Sequence, residues 1–240
     1  MIRLLALVLM LSSALHAQDL ATEIRAVIDE YENAVRANTL KIINAPTEEE
    51  KNKYRQTIPS AGPCATKLMQ IIKANADKPE VVPAVCWLVT GAASFPEGEE
   101  AKKMLATTYA GSAGIAPTVR QLEYQGLLGG PAALAVLEKN KNREEIAAAL
   151  YTLGAIHFKN FDASADRASA EASKPKCIDY FQRLNADYSD VVIQGYKLSD
   201  LAGKMLFEMT NLQAGSEAPE IEGKDKDGKP LKLSDFRGKH

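Results

Sequence analysis

Histidine is nearly absent from this sequence, and its scarcity removes much of the usual catalytic repertoire. Of the three histidines, His16 falls in an N-terminal apolar run, His240 is the last residue, and His157 stands alone in between. A single imidazole near a helix end builds neither a histidine-rich metal site nor a Ser-His-Asp triad, so His157 is expected to be structural or solvated. Cysteine is scarce too: Cys64, Cys86 and Cys177 are the only three, and no two of them form a C-x-x-C pair. The local signature of a redox dithiol is therefore missing. No G-K-[ST] follows the glycines at 126, 129 and 130, which excludes a phosphate loop. Asp225 and Asp227 lack the remainder of an EF-type calcium loop. Basic surplus is absent as well. With 25% charged residues and a net charge of -2, nothing marks a nucleic-acid surface or a polybasic membrane anchor. Read on residue chemistry alone, the sequence offers no catalytic, cofactor-binding or metal-binding residue.

What is present is apolar and helical. The chain has 240 residues, 46% of them hydrophobic and only 6% aromatic, enough to bury a sizeable core built from alanine-rich helices. Its one long apolar run is terminal. Arg3 precedes an uninterrupted stretch from Leu4 to Leu11, followed by Ser12, Ser13, Ala14 and then Ala17. This is the pattern of a secretory signal peptide cleaved after Ala17 or, as the alternative, after Ala14. The run is too short to span a bilayer, and a buried helix is the competing reading. Export to a periplasmic or extracellular location follows from the signal. Such compartments permit disulfides. If the helices carrying Cys64 and Cys86 form an antiparallel hairpin, the two cysteines are offset by about one turn, roughly 6 Å, at the limit of disulfide geometry. Either they bridge, or all three cysteines serve as small buried apolar residues.

Beyond residue 18 the pattern reads as one helix after another. Leu20, Ile24, Val27, Ile28, Tyr31 and Val35 recur at spacings of three and four. Asn38 and Thr39 weaken that stripe, and Pro46 ends the apolar patch that follows. Thr47-Glu48-Glu49-Glu50 has the form of a capping box, predicting a helix to about Thr57. Gly62-Pro63 opens the next, closed near Asp77-Lys78-Pro79. Further helices are predicted over 79–93, 99–109, 115–124, 132–139 and 143–158, with Phe95-Pro96-Glu97-Gly98 as a loop. Residues 162–174 read either as a loop or as a solvated continuation of helix. Pro175 is expected to start a helix through Tyr180, Phe181 and Leu184. Val191-Val192-Ile193 suggests a brief extended segment ended by Gly195, and 198–212 a last helix. Glu97, Glu99 and Glu100, like Glu48 to Glu50, are read as helix-start charges rather than paired catalytic carboxylates. Trp87 and Tyr124 are read as core aromatics, with a peptide groove as the alternative. Short helices of this kind cannot stand alone. The expected fold class is all-α, an irregular array of short helical hairpins forming an α-α superhelix or bundle.

The last stretch changes register. Ala218-Pro219 sets an extended entry, Glu220-Ile221-Glu222 is a strand candidate, and Asp227-Gly228 predicts a type I′ hairpin turn. Leu231 and Leu233 return on one face, and Ser234 is expected to cap a turn at Asp235-Phe236-Arg237 with Gly238 as its left-handed exit. From about Gly215 to Lys239 the residues Ala218-Pro219, Asp227-Gly228-Lys229 and Leu233-Ser234-Asp235-Phe236-Arg237-Gly238-Lys239 resemble the opening of the redoxin and TlpA-like thiol-disulfide oxidoreductases, in the thioredoxin superfamily. Tyr180-Phe181-Gln182-Arg183-Leu184 and Leu206-Phe207-Glu208 resemble the helical region that precedes such a domain in exported redoxins. After the signal peptide over 1–17 and the helical domain over 18–212, the resemblance implies over 213–240 the truncated β-hairpin start of a thioredoxin-like α/β domain. It implies thiol-disulfide exchange or peroxiredoxin-like antioxidant activity, from a Cys-x-x-Cys segment that these residues do not contain. Cys64, Cys86 and Cys177 match none of the family's catalytic positions. The competing expectation is a non-catalytic secreted helical-repeat module that holds a protein or peptide partner. On either expectation no cofactor, nucleic acid or membrane span in the mature chain is implied.

Overall fold

The computed structural model describes the backbone of residues 2–163, 166–213 and 216–238, and the side chains of these except residues 2–17 and 163. The chain is mostly helical, and among the described residues strands occur only in two small antiparallel pairs. Helix α1 spans Ile2–Asn44 without a break, passing through both expected cleavage points, whose side chains lie outside the described ones. Among the described residues no helix is long and apolar enough to cross a membrane. Asn38 does not weaken α1 as the sequence suggests. It is buried, and its amide donates to the Thr57 carbonyl (2.8 Å) and hydroxyl (3.0 Å), tying α1 to the end of α2 (Glu48–Arg55). Thr47 caps α2 as expected, accepting from the Glu50 amide.

Next come α3 (Gly62–Ala74), a single 3-10 turn (Pro79–Val81), α4 (Val82–Gly91), α5 (Pro96–Thr107) and α6 (Ala116–Gln121). A proline near the start of α3 to α6 fixes φ where no intrahelical donor is needed. This corrects the reading of Phe95-Pro96-Glu97-Gly98 as loop: Pro96 begins α5, and Gly98 fits because a Cβ there would meet the Ala92 carbonyl at 2.1 Å. Glu97 and Glu99 lie in its first turn, as the helix-start reading requires. An irregular 3-10 segment (Leu122–Gly129), kinked at Gly126, leads to α7 (Gly130–Lys139).

Helix α8 (Arg143–Ala163) is the centre of the molecule. Every residue from Ala147 to Ile156 is buried, so the helix is covered on all sides. Its alanines let α6, α7 and α9 pack closely around it. Its buried Thr152 hydroxyl donates to the Val119 carbonyl at 2.9 Å. Helix α9 spans Arg167–Asp187, so it starts well before Pro175, which sits inside it. Asp166 supplies the cap, accepting from the Ala168 and Ser169 amides, and exposed Pro175 turns its missing hydrogen bond toward water. A tight hairpin follows, β1 (Val192–Ile193) with β2 (Tyr196–Lys197), turned by Gln194 at φ 51° and Gly195 at φ 80°. The returning strand went unpredicted. Helix α10 (Leu198–Asn211) closes the body. One continuous apolar cluster runs from Leu20 to Met209, with Leu68, Ile72, Leu88, Leu105, Leu150 and Phe181 fully buried.

Beyond α10, β3 (Glu222–Lys224) pairs with β4 (Pro230–Lys232), Gly223 opposite Leu231. The turn is not type I′. Only Gly228 has positive φ (82°), the Gly228 amide donates to the Asp225 carbonyl, and Asp225 accepts from the Asp227 and Lys229 amides. Asp225 therefore stabilises a type I turn with glycine in the left-handed exit. A 3-10 turn (Leu233–Phe236) follows, and Gly238 (φ 75°) leaves it as expected. Ser234 is not its cap: Asp235 accepts from the Lys232 amide and Glu220 from the Ser234 amide. The segment has no core of its own, since Ile221, Leu233 and Phe236 are all exposed.

Candidate functional site

Cys64, Cys86 and Cys177 are the three thiols of the chain. All are free. Cys64 on α3 turns toward α1, its sulfur 3.7 Å from the Val27 carbonyl, whereas Cys86 on α4 faces Thr118 of α6. The two therefore point to different neighbours, and the bridge left open by their spacing does not form. Burial, with a smaller contribution from Glu30 and Glu32, pushes the Cys64 thiol up to about 11. Burial alone pushes Cys177 up to about 12 and raises Cys86 as well. Groups held protonated in this way are poor nucleophiles, and the helical body offers no activated thiol.

Histidine contributes packing. His157 stacks on Tyr180 of α9 with ring centres 6.0 Å apart, and burial lowers its proton affinity, assisted by Lys176. Among the described residues no group of three or more His, Cys, Asp or Glu side chains could hold a metal ion.

The two aromatics singled out in the sequence part company. Trp87 is half-buried between α4 and α1, edge-on to Tyr31 at 5.5 Å, with its indole N–H donating to Glu32 at 3.2 Å. Beside it, Tyr31 also borders a shallow cleft of about 450 Å³ against Pro59, Pro63 and Cys64. Tyr124 is no core residue at all: it is 71% exposed. It belongs to the kinked 3-10 segment, where Leu127 is 59% and Leu128 73% exposed.

That segment is built to hold its apolar side chains in the open. Gly126 adopts φ 56°, ψ -141°, a conformation that side-chain-bearing residues rarely reach. Gly129 lies so close to the Leu122 carbonyl that a Cβ would sit 2.3 Å from it. Between the exposed residues, the others anchor downward. Leu122 is fully buried, and Gln125 donates to the Val89 carbonyl while accepting from Lys102. Glu123, 4% exposed, pairs with Lys159 of α8 at 3.4 Å. The Lys159 ammonium also lies 4.8 Å over the Tyr124 ring. Beneath, Glu123 faces the buried Tyr151 hydroxyl, which burial and this carboxylate push up to about 12. One turn before Tyr124, Arg120 stacks on exposed Tyr196 at 4.9 Å, its Nε buried without a hydrogen-bond partner. Arg120, Lys159 and Tyr196, on α6, α8 and β2, carry no sequence motif that marks them. The one available signal was the run of apolar residues between glycines at 127 and 128.

The chain is thus mostly helical, and its kinked segment presents exposed Tyr124, Leu127 and Leu128 close to Lys159 and Arg120. No protein-family model, no curated protein and no solved structure matches the chain.

Proposed function

We propose that this chain is the helical, partner-holding region of an exported thiol-disulfide oxidoreductase of the redoxin type, joined to the opening segment of its thioredoxin-like domain. The observation that carries the reading is the hairpin at Glu222–Lys232: it is well formed, yet it leaves Ile221, Leu233 and Phe236 uncovered. A hairpin of this size needs further strands or helices to shelter its apolar face, as the rest of a thioredoxin-like sheet would do. The buried, high-pKa thiols of the body fit a division of labour in which exchange chemistry belongs to residues outside Met1–His240. Two measurements test this. Insulin reduction with dithiothreitol, run on the 240-residue chain, is expected to stay at background. The intact mass of the protein made by its host is expected to lie well above the 26.0 kDa of this chain. A mass equal to residues 18–240 sinks the redoxin reading.

A second reading is favoured by the exposed Tyr124–Leu128 segment: a secreted, non-catalytic helical module that holds a protein or peptide. Both readings give the helical body the same task, which is binding.

A further inference from the structure

We propose that the face formed by Tyr124, Leu127, Leu128, Arg120, Lys159 and Tyr196 receives an acidic peptide segment whose carboxylates flank an apolar residue. The inference deepens the binding role given to the helical body and rests on it.

Shape provides half of the case. Exposed leucines are ordinary when scattered, but here Tyr124, Leu127 and Leu128 fall within five residues on one short segment. The segment is anchored by buried Leu122, by Glu123 and Gln125, and by Gly129 against the Leu122 carbonyl, which holds its knob in place. Pre-ordering reduces the entropy lost on association, which makes such residues effective anchors.

Charge provides the other half and selects the partner. Two cations, Arg120 and Lys159, border the knob, and the one carboxylate between them, Glu123, is buried beneath and neutralises only Lys159. Among the described residues Arg120 has no carboxylate partner, and its stack on Tyr196 holds the guanidinium in place. A planar guanidinium of this kind donates to a carboxylate in a two-pronged pair, while Lys159, already paired with Glu123, adds a weaker attraction. Arg120 thus leaves an uncompensated cation beside the exposed Tyr124–Leu128 segment, and an incoming carboxylate complements it.

The test uses the full chain and fluorescein-labelled dodecapeptides carrying a Leu-Leu pair flanked by glutamates, or by lysines in the control. Fluorescence anisotropy should show binding of the glutamate peptide and none of the lysine peptide. Raising salt from about 50 to about 500 mM should weaken it several-fold through screening. L127S/L128S, at two exposed leucines, and R120Q, at the half-buried arginine, should each weaken it about tenfold or more, the scale of an interface anchor, with helical circular dichroism unchanged. Four outcomes overturn the inference: no binding by the wild type, equal binding of the lysine peptide, a wild-type dimer in sedimentation that L127S/L128S dissolves, or flotation with anionic vesicles that the same variant abolishes. None of these bears on the insulin or intact-mass results, so loss of the acidic-peptide inference and loss of the redoxin reading are told apart.

Discussion

Glycine 154 lies in the middle of α8, where helix propensity alone says that alanine is better by about 1 kcal/mol. Packing says the opposite. A Cβ at this position would lie 2.4, 2.6 and 2.9 Å from the Cε1, Cδ1 and Cζ atoms of Phe181. Phe181 is fully buried between α8 and α9, and a ring edge cannot bend aside as the tip of a lysine can. Relief requires moving the two helices apart, and overpacking of this kind costs about 1–3 kcal/mol, often more than propensity returns. Gly154→Ala is therefore expected to destabilise the protein by about 1–2 kcal/mol net. For a domain of this size that lowers Tm by roughly 2–8 °C. Gly203 in α10 provides the control, since nothing lies within 4 Å of its added Cβ. Gly203→Ala is expected to stabilise by about 0.5–1 kcal/mol. Urea unfolding followed by circular dichroism should separate the two variants by about 1.5–3 kcal/mol, with changes of opposite sign. Trimming the ring restores room, so Phe181→Leu should cost less in the Gly154→Ala background than in the wild type. If both glycine variants are equally stabilised, helix propensity governs and the α8–α9 contact is not as tight as described.

Four further outcomes are expected. Ellman's reagent at pH 8 should leave Cys64 and Cys177 unlabelled in the native protein and label all three cysteines in urea; fast native labelling of Cys177 would contradict its burial. Asn38→Ala should cost about 1–2 kcal/mol in urea unfolding, because it removes two hydrogen bonds that hold α1 to Thr57; a loss below about 0.5 kcal/mol would show that the link is dispensable. Burial lowers the His157 pKa in the folded state, so the unfolded chain binds its proton first as pH falls below about 6.5. Stability should accordingly drop from that pH downward, and His157→Gln should flatten the drop. Amide exchange at Leu231 and Leu233, in a hairpin that leaves Ile221, Leu233 and Phe236 exposed, should be fast while Leu150 in α8 stays protected for hours; strong protection of Leu231 would refute the open hairpin.

The sequence by itself determined the helical body. Periodic leucines, prolines at helix starts, the Thr47 cap and the glycine and asparagine breaks are local signals, and local physics reads them. Its errors came where contacts override local preference. Asn38 looked like a breaker because its partner, Thr57, lies beyond another helix. Pro175 looked like a start because the exposure that makes an interior proline tolerable is a tertiary property. Gly154 and Gly98 look like weaknesses until Phe181 and the Ala92 carbonyl come within reach. The hairpin near Asp227-Gly228 was legible, but its turn type depended on the Asp225 carboxylate taking two amides. Only tertiary structure decided which aromatic faces solvent. Trp87 packs edge-on against Tyr31 of α1, whereas Tyr124 has only the Lys159 ammonium over its ring among the described contacts and stays 71% exposed. It also decided that Arg120, Lys159 and Tyr196, far apart in sequence, share a face with Tyr124, because α6, α8 and β2 meet there and a one-dimensional pattern carries no record of that meeting.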